Sequence, residues 1–160
     1  EQSGPLSNPP RFRKKSYTLT ALARFSLQAR VLGTERYHID HEAYLVPVDL
    51  ALGWGPMSDS KVLSKISIDQ GGRFYNWHVR EFPIPRREIE INSANMHLIP
   101  ATSAVEAQIK NARVGHIVRL SGYLVEVLGD DGWRWVSSLT REDTGASACE
   151  VIWVEQIELL

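Results

Sequence analysis

A cysteine, a histidine and an aspartate supply the residue types of a cysteine-dependent nucleophilic site. Cys149 is the single cysteine of the 160-residue chain, and His97 and Asp143 are a candidate general base and a candidate group to orient it. Backbone amides at Thr144 and Gly145 would suit an oxyanion. No local signature surrounds Cys149, and a cysteine at the start of a strand is commonly a small buried hydrophobic residue. The triad therefore predicts a hydrolase or transferase only as an alternative function.

A second set of polar side chains suits binding. Asn95 and His97 are two residues apart, so on an extended strand they lie on one face, where they would converge on a ligand or brace a loop. Ser138, Arg141 and Asp143 lie in a polar loop and offer hydrogen bonds to a sugar, a peptide or a partner protein. We expect these side chains to form a binding surface.

Trp54 is a further candidate for the binding surface. It lies between Gly53 and Gly55, which allow the backbone to turn sharply around the large ring. Trp54 is then either a core residue across a tight turn or a ring offered to a ligand.

The sequence gives little support for a metal or a cofactor. His38 and His41 have carboxylates between and after them, but on a strand they would point to opposite faces. A zinc site also needs further ligands from elsewhere in the chain. We predict a solvated loop there, with no metal site and no cofactor.

The composition is that of a folded domain without the excess positive charge that would attract a nucleic acid. The chain is 43% apolar and 23% charged, with a net charge of -1. An OB-like single-stranded nucleic-acid binder is a second alternative, because Tyr123, Trp133, Arg134 and Trp135 are residues on which bases stack. The balanced charge argues against it, and we expect no nucleic-acid partner.

The first 16 residues have the composition of a flexible, proline-rich tail or tether. Pro5, Pro9 and Pro10 disfavour both helix and sheet, and a basic cluster follows at residues 11–15. We expect one β-rich domain over residues 17–160, placed near a membrane by a segment upstream of the tail.

Alternation of apolar and polar residues predicts most of the strands. It marks a strand over Tyr17–Leu32, where helical spacing also fits, and two strands within 66–82 joined by Asp69-Gln70-Gly71-Gly72. A strand is predicted from Glu88 to Ala101, and a helix over 102–113 with Ser103 as its cap.

The C-terminal portion, 115–155, carries the strongest strand signals. Its first strand contains Gly122, at a position where a barrel strand often bends. The predicted class is α+β, mostly β: a small antiparallel, partly closed barrel or curved sheet with an OB-like C-terminal part and one or two short helices.

Three segments of the sequence resemble those of a family of uncharacterised bacterial proteins that often carry an N-terminal membrane segment. The resemblance covers about residues 20–155 and rests on Asp49-Leu-Ala-Leu-Gly-Trp-Gly-Pro-Met-Ser58, Asn95-Met-His-Leu-Ile-Pro100 and Ser138-Leu-Thr-Arg-Glu-Asp-Thr-Gly145 with Ala148-Cys-Glu150. It implies a periplasmic or membrane-anchored location and no specific site. We therefore expect a non-catalytic binding or assembly module of the bacterial cell envelope, whose partner is another envelope protein or a small polar ligand.

Overall fold

The computed structural model describes residues 1–38, 42–140 and 149–160. These residues form nine strands and three α-helices, so the class is α+β and mostly β, as predicted. The strands are β1 (Arg11–Lys14), β2 (Tyr17–Arg36), β3 (Val48–Gly53), β4 (Ile66–Gly71), β5 (Phe74–Val79), β6 (Ser93–Pro100), β7 (Ile117–Gly129), β8 (Arg134–Val136) and β9 (Glu150–Leu159). The helices are α1 (Ser60–Leu63), α2 (Arg86–Ile91) and α3 (Ser103–Asn111), and a 3-10 turn spans Gly55–Ser58.

Five of the described strands pair in a ring. The order is β2-β3-β6-β9-β7, and β7 pairs again with β2, while β1 and β8 extend the sheet. Every pair in the ring is antiparallel except β6 with β9. Five is also the strand number of the OB-like barrel that the C-terminal portion suggested. That portion supplies only two ring strands, however, and the other three come from the earlier part of the chain.

The apolar side chains of the ring strands form the main core. Leu50 and Leu52 of β3 and Met96 and Leu98 of β6 are fully buried there. Helix α3 packs its apolar residues, including Ile109, against the same core. Alternate residues of β3 and β6 point away from this core, so the second face of these strands is free to carry other groups.

Gly122 allows the ring to close between β7 and β9. The register of that pair shifts between Ser121 and Gly122, at the predicted bend. A Cβ atom built on Gly122 would lie 1.8 Å from the carbonyl oxygen of Trp153. Only a residue without a side chain permits this backbone approach.

Two local predictions are wrong in detail. Residues 86–91 form helix α2, where a strand was predicted from Glu88, and β6 begins only at Ser93. Pro85 precedes the first helical residue, a favourable place for proline, and the buried Ile89 anchors the helix to a satellite apolar cluster. The cap of α3 is Thr102, whose hydroxyl accepts a hydrogen bond from the Val105 amide, and Ser103 is the first helical residue.

The N-terminal segment packs along β2 instead of leaving the surface as a tail. The Ser3 amide donates to the Arg24 carbonyl at 3.0 Å, and the Ala21 amide donates to the Pro10 carbonyl at the same distance. Residues 11–14 then pair with β2 as β1. Prolines are accepted at such a sheet edge because they need no donor on the open side, which is why composition alone missed this arrangement.

The other predicted strands are confirmed. The segment from Tyr17 is a strand and runs on to Arg36. Strands β4 and β5 form a separate two-stranded hairpin, but its turn is Gly72 and Arg73, later than predicted, because residues 69–71 belong to β4. This hairpin lies against the ring at β2 and β6, and its tip reaches the face that the next section describes.

Candidate functional site

A buried carboxylate is the centre of the polar groups on the second face of β3 and β6. Asp49 is 0% exposed, and three side chains donate hydrogen bonds to it. His97 Nδ1 lies 2.9 Å from Asp49 Oδ1, Asn95 Nδ2 lies 3.2 Å from Oδ2, and Arg73 Nη1 lies 3.1 Å from Oδ1. We call these four residues the Asp49 cluster.

The pairing of β3 with β6 brings three members of the cluster together. In the antiparallel register Asp49 is opposite His97, and Ala51 is opposite Asn95. Directly opposed residues on one face of a sheet are in side-chain contact, and diagonal neighbours are within reach, so this register places the His97 imidazole opposite the carboxylate and the Asn95 amide diagonally beside it. Asn95 and His97 therefore share a face, as their spacing predicted.

The fourth member, Arg73, comes from the tip of the β4–β5 hairpin. Gly72 and Arg73 form its two-residue turn with φ angles of 58° and 69°. The Arg73 amide donates to the Tyr37 hydroxyl at 3.0 Å, and its carbonyl accepts from Asn95 Nδ2 at 3.2 Å. The guanidinium carbon lies 3.8 Å from the centre of the Tyr37 ring.

A second hairpin side chain, Gln70, closes the cluster. Its amide nitrogen donates to Asn95 Oδ1 at 2.8 Å. Burial and the negative charge of Asp49 raise the pKa of Tyr37, although the hydrogen bond from the Arg73 amide opposes this.

The charges of Asp49 and Arg73 compensate each other inside the protein, and removing one would leave the other buried without its counter-charge.

The structure does not join the predicted nucleophile to the predicted base. Among the described residues, no hydrogen bond links Cys149 to His97, and the carboxylate at His97 is Asp49. Burial, with the nearby charges of Glu150 and Asp49, raises the pKa of the Cys149 thiol to about 11. Asp143 lies outside the described residues.

Of the four described residues that were predicted to form a binding surface, three are buried. Asn95 and His97 are 4% and 1% exposed, and they bind Asp49. Ser138 is also buried, and its amide donates to the Cys149 carbonyl at 2.9 Å. Trp54 is partly buried against the main core. Arg141, like Asp143, lies outside the described residues.

Comparison with protein families, with curated proteins and with solved structures returns no match.

Sequence reasoning missed both charged residues of the Asp49 cluster, Asp49 and Arg73. Asp49 had a usable signal, because it is a charged residue within the apolar run Val-Asp-Leu-Ala-Leu at 48–52. A charge within a buried strand requires a partner of opposite charge or several hydrogen-bond donors. Arg73 gave no comparable signal, since an arginine in a glycine-rich turn ordinarily lies in solvent.

The aromatic residues expected to stack bases form a second apolar cluster on the outside of the ring. Trp133 and Trp135 lie 5.7 Å apart between ring centres, and Trp135 lies 4.6 Å from the His97 ring. Tyr123 packs on the same cluster, 5.8 Å from Phe12. These rings are in contact with one another, which leaves fewer faces open for a base.

Two absences hold for the part of the chain that the structure describes. No group of three or more His, Cys, Asp or Glu side chains there is arranged to hold a metal ion. None of the helices there has the length and hydropathy that a membrane span requires.

The β4–β5 hairpin and the segment after it expose two large apolar side chains. Phe74 is 45% exposed, and Phe82, just beyond β5, is 50% exposed and lies 6.0 Å from Trp77 between ring centres. A groove of about 520 Å³ lies at the open end of the hairpin, with Lys65 and Arg80 among its lining residues. This region combines an apolar surface with polar groups at its margin.

Proposed function

We propose that this chain is a non-catalytic binding or assembly module of the bacterial cell envelope, and that its partner is a protein that adds an extended segment to the β4–β5 hairpin. The observation that carries the proposal is the hairpin itself. It forms a separate two-stranded sheet, and its strands pair only with each other among the described residues.

The free edge of β5 has the features that strand addition requires. In a hairpin with a two-residue turn, the pair next to the turn is hydrogen-bonded, here Gly71 with Phe74, and alternate pairs follow that pattern. The backbone groups of Tyr75 and Trp77 then point away from β4. An extended peptide would pair with these groups, and the exposed Phe74 ring lies beside that edge to contact its side chains.

Two features favour binding over catalysis. The Asp49 carboxylate and His97 Nδ1 are buried and hydrogen-bonded to each other, so these atoms already have partners. The raised pKa of Cys149 leaves little thiolate at neutral pH, and a thiolate is the species that attacks.

The envelope location is supported by the resemblance of three sequence segments to bacterial envelope proteins. The chain also has a basic stretch at residues 11–15, which includes strand β1 and would suit an anionic membrane surface.

Site-directed photocrosslinking in bacterial cells tests the proposal. A photoreactive residue at Asn76, on the exposed face of β5, should give one discrete crosslinked protein in the envelope fraction. The same residue at Leu128, on the distant strand β7, should not give that product. The crosslinked protein is then identified, purified and titrated against the purified chain.

Paired substitutions distinguish a specific binding surface from non-specific hydrophobic binding. Phe74→Ser should weaken the measured affinity by about tenfold or more, as expected for an aromatic anchor of an interface. Leu128→Ser is the matched control, because Leu128 is 46% exposed and Phe74 is 45% exposed. Equal affinities of the two variants, or the same crosslinks from both positions, would contradict the proposal.

A further inference from the structure

The surroundings of the Arg73 guanidinium have the chemistry of a recognition site. Asp49 offers a fully buried carboxylate at 3.1 Å, and Tyr37 offers an aromatic face at 3.8 Å. A guanidinium can be hydrogen-bonded at its edge while its flat face lies over an aromatic ring, whereas an ammonium ion has no flat face to stack. Arg73 itself is only 8% exposed, so this site is enclosed.

The site is formed largely without the hairpin. The β3–β6 register places His97 and Asn95 beside Asp49, and Tyr37 follows β2. These four side chains come from the ring and from the chain just after one of its strands, whereas the cation comes from a turn inserted between β3 and β6. The carboxylate and the cation therefore belong to different sheets of the fold.

The turn conformation shows that side-chain contacts hold Arg73 in place. Its φ of 69° is in the left-handed region, which glycine and asparagine prefer and arginine rarely adopts. Such a conformation persists when the surroundings determine it. Here they do so through the ion pair with Asp49, the stacking on Tyr37 and the hydrogen bonds of the Arg73 backbone to Tyr37 and Asn95.

We propose that Asp49, Asn95 and Tyr37 form a binding site for an alkylguanidinium group, and that Arg73 occupies this site as an intramolecular ligand that fastens the hairpin tip to the ring. An arginine side chain supplied by another molecule would compete with Arg73 for the same carboxylate. The binding of the hairpin edge to a partner is a separate property, so the proposal of a guanidinium site does not depend on it.

Chemical rescue tests the site. The variant Arg73→Gly removes the guanidinium and leaves a residue that accepts a φ of 69°, so the turn itself is not strained. It should have a lower melting temperature than the original protein. Ethylguanidinium should raise that temperature in a saturable way, by about 3 to 6 °C at ten times its dissociation constant.

Three controls make the rescue specific. Ethylguanidinium should leave the original protein unchanged, because Arg73 fills the site. Ethylammonium, which has the charge without the planar group, should rescue Arg73→Gly less well. The double variant Arg73→Gly, Asp49→Asn removes both charges and should show no rescue. In the Arg73→Gly variant, the imidazole NMR signals of His97 should also shift on titration, because His97 contacts the same carboxylate.

The experiment still tests the proposal if the Arg73→Gly variant does not fold in the absence of ethylguanidinium. Folding that depends on ethylguanidinium would then support the site more strongly. The proposal is overturned if ethylguanidinium neither stabilises nor folds the variant, if ethylammonium acts equally well, or if the double variant is rescued to the same extent.

Discussion

The thiol of Cys149 should be nearly inert toward alkylating reagents in the folded protein. Burial and the negative charges of Glu150 and Asp49 raise its pKa from 9.0 to about 11. Each pKa unit is a factor of ten in the thiolate fraction, so at neutral pH the folded protein should contain about a hundredfold less thiolate than an ordinary cysteine. Slower access of the reagent to a half-buried group should lower the rate further.

The assay is the rate of iodoacetamide alkylation as a function of pH, measured for the folded protein and for the same protein in urea. In urea the rate should level off near the ordinary pKa of 9.0, and in the folded protein it should still rise toward pH 11. A folded-state inflection below 9.0, with fast labelling at neutral pH, would refute this reasoning and would favour the hydrolase or transferase hypothesis for Cys149.

The same pKa shift predicts how stability depends on pH. The folded-state pKa lies above the unfolded value, so the contribution of Cys149 is fully present below pH 9.0 and is lost as the pH rises through about 11. After an allowance for the partial exposure of the residue, the loss amounts to about 1–2 kcal/mol. Urea titrations of Cys149→Ser should lack this alkaline loss.

Two further pairs of variants test the fold. Gly122→Ala should lower the free energy of unfolding by about 1–3 kcal/mol or more in urea titrations, because its Cβ would lie 1.8 Å from the Trp153 carbonyl oxygen. Gly71→Ala is the control, because a Cβ atom at Gly71 would have nothing within 4 Å. Equal losses of stability in the two variants would contradict the close approach at Gly122. Thr102→Ala should lower the free energy of unfolding by about 1 kcal/mol, because it removes the N-cap of α3, and Ser103→Ala should lower it far less. The reverse order of losses would indicate that Ser103 is the cap.

The local features of the fold were the predictable ones. The β4–β5 hairpin and the strand from Tyr17 follow from the period of two, and α3 follows from its apolar stripe and its capping signal. Helix α2 was missed because two isoleucines two residues apart fit a strand as well as a short helix, and the burial of Ile89 in a satellite cluster decides between them.

The polar centre of the molecule was not predictable in the same way. His97 was recognised as a candidate, but its partner Asp49 is 48 residues away, and Arg73 is 24 residues from Asp49. Only the register of β3 with β6 and the position of the hairpin bring these groups together. A single sequence shows residue types, while contacts of this kind depend on how distant strands pair.

The parallel pairing of β6 with β9 has a consequence for the order in which the molecule assembles. Strand β9 pairs with β6 on one side and β7 on the other, so the ring stays open until residues 150–159 are available. Ile152 and Val154 also complete the main core. A chain that emerges from the ribosome N-terminus first would therefore hold one edge of β6 and one edge of β7 unpaired until β9 is made. Ring closure is then a late, long-range event, and protection of the nascent chain would matter most just before β9 appears.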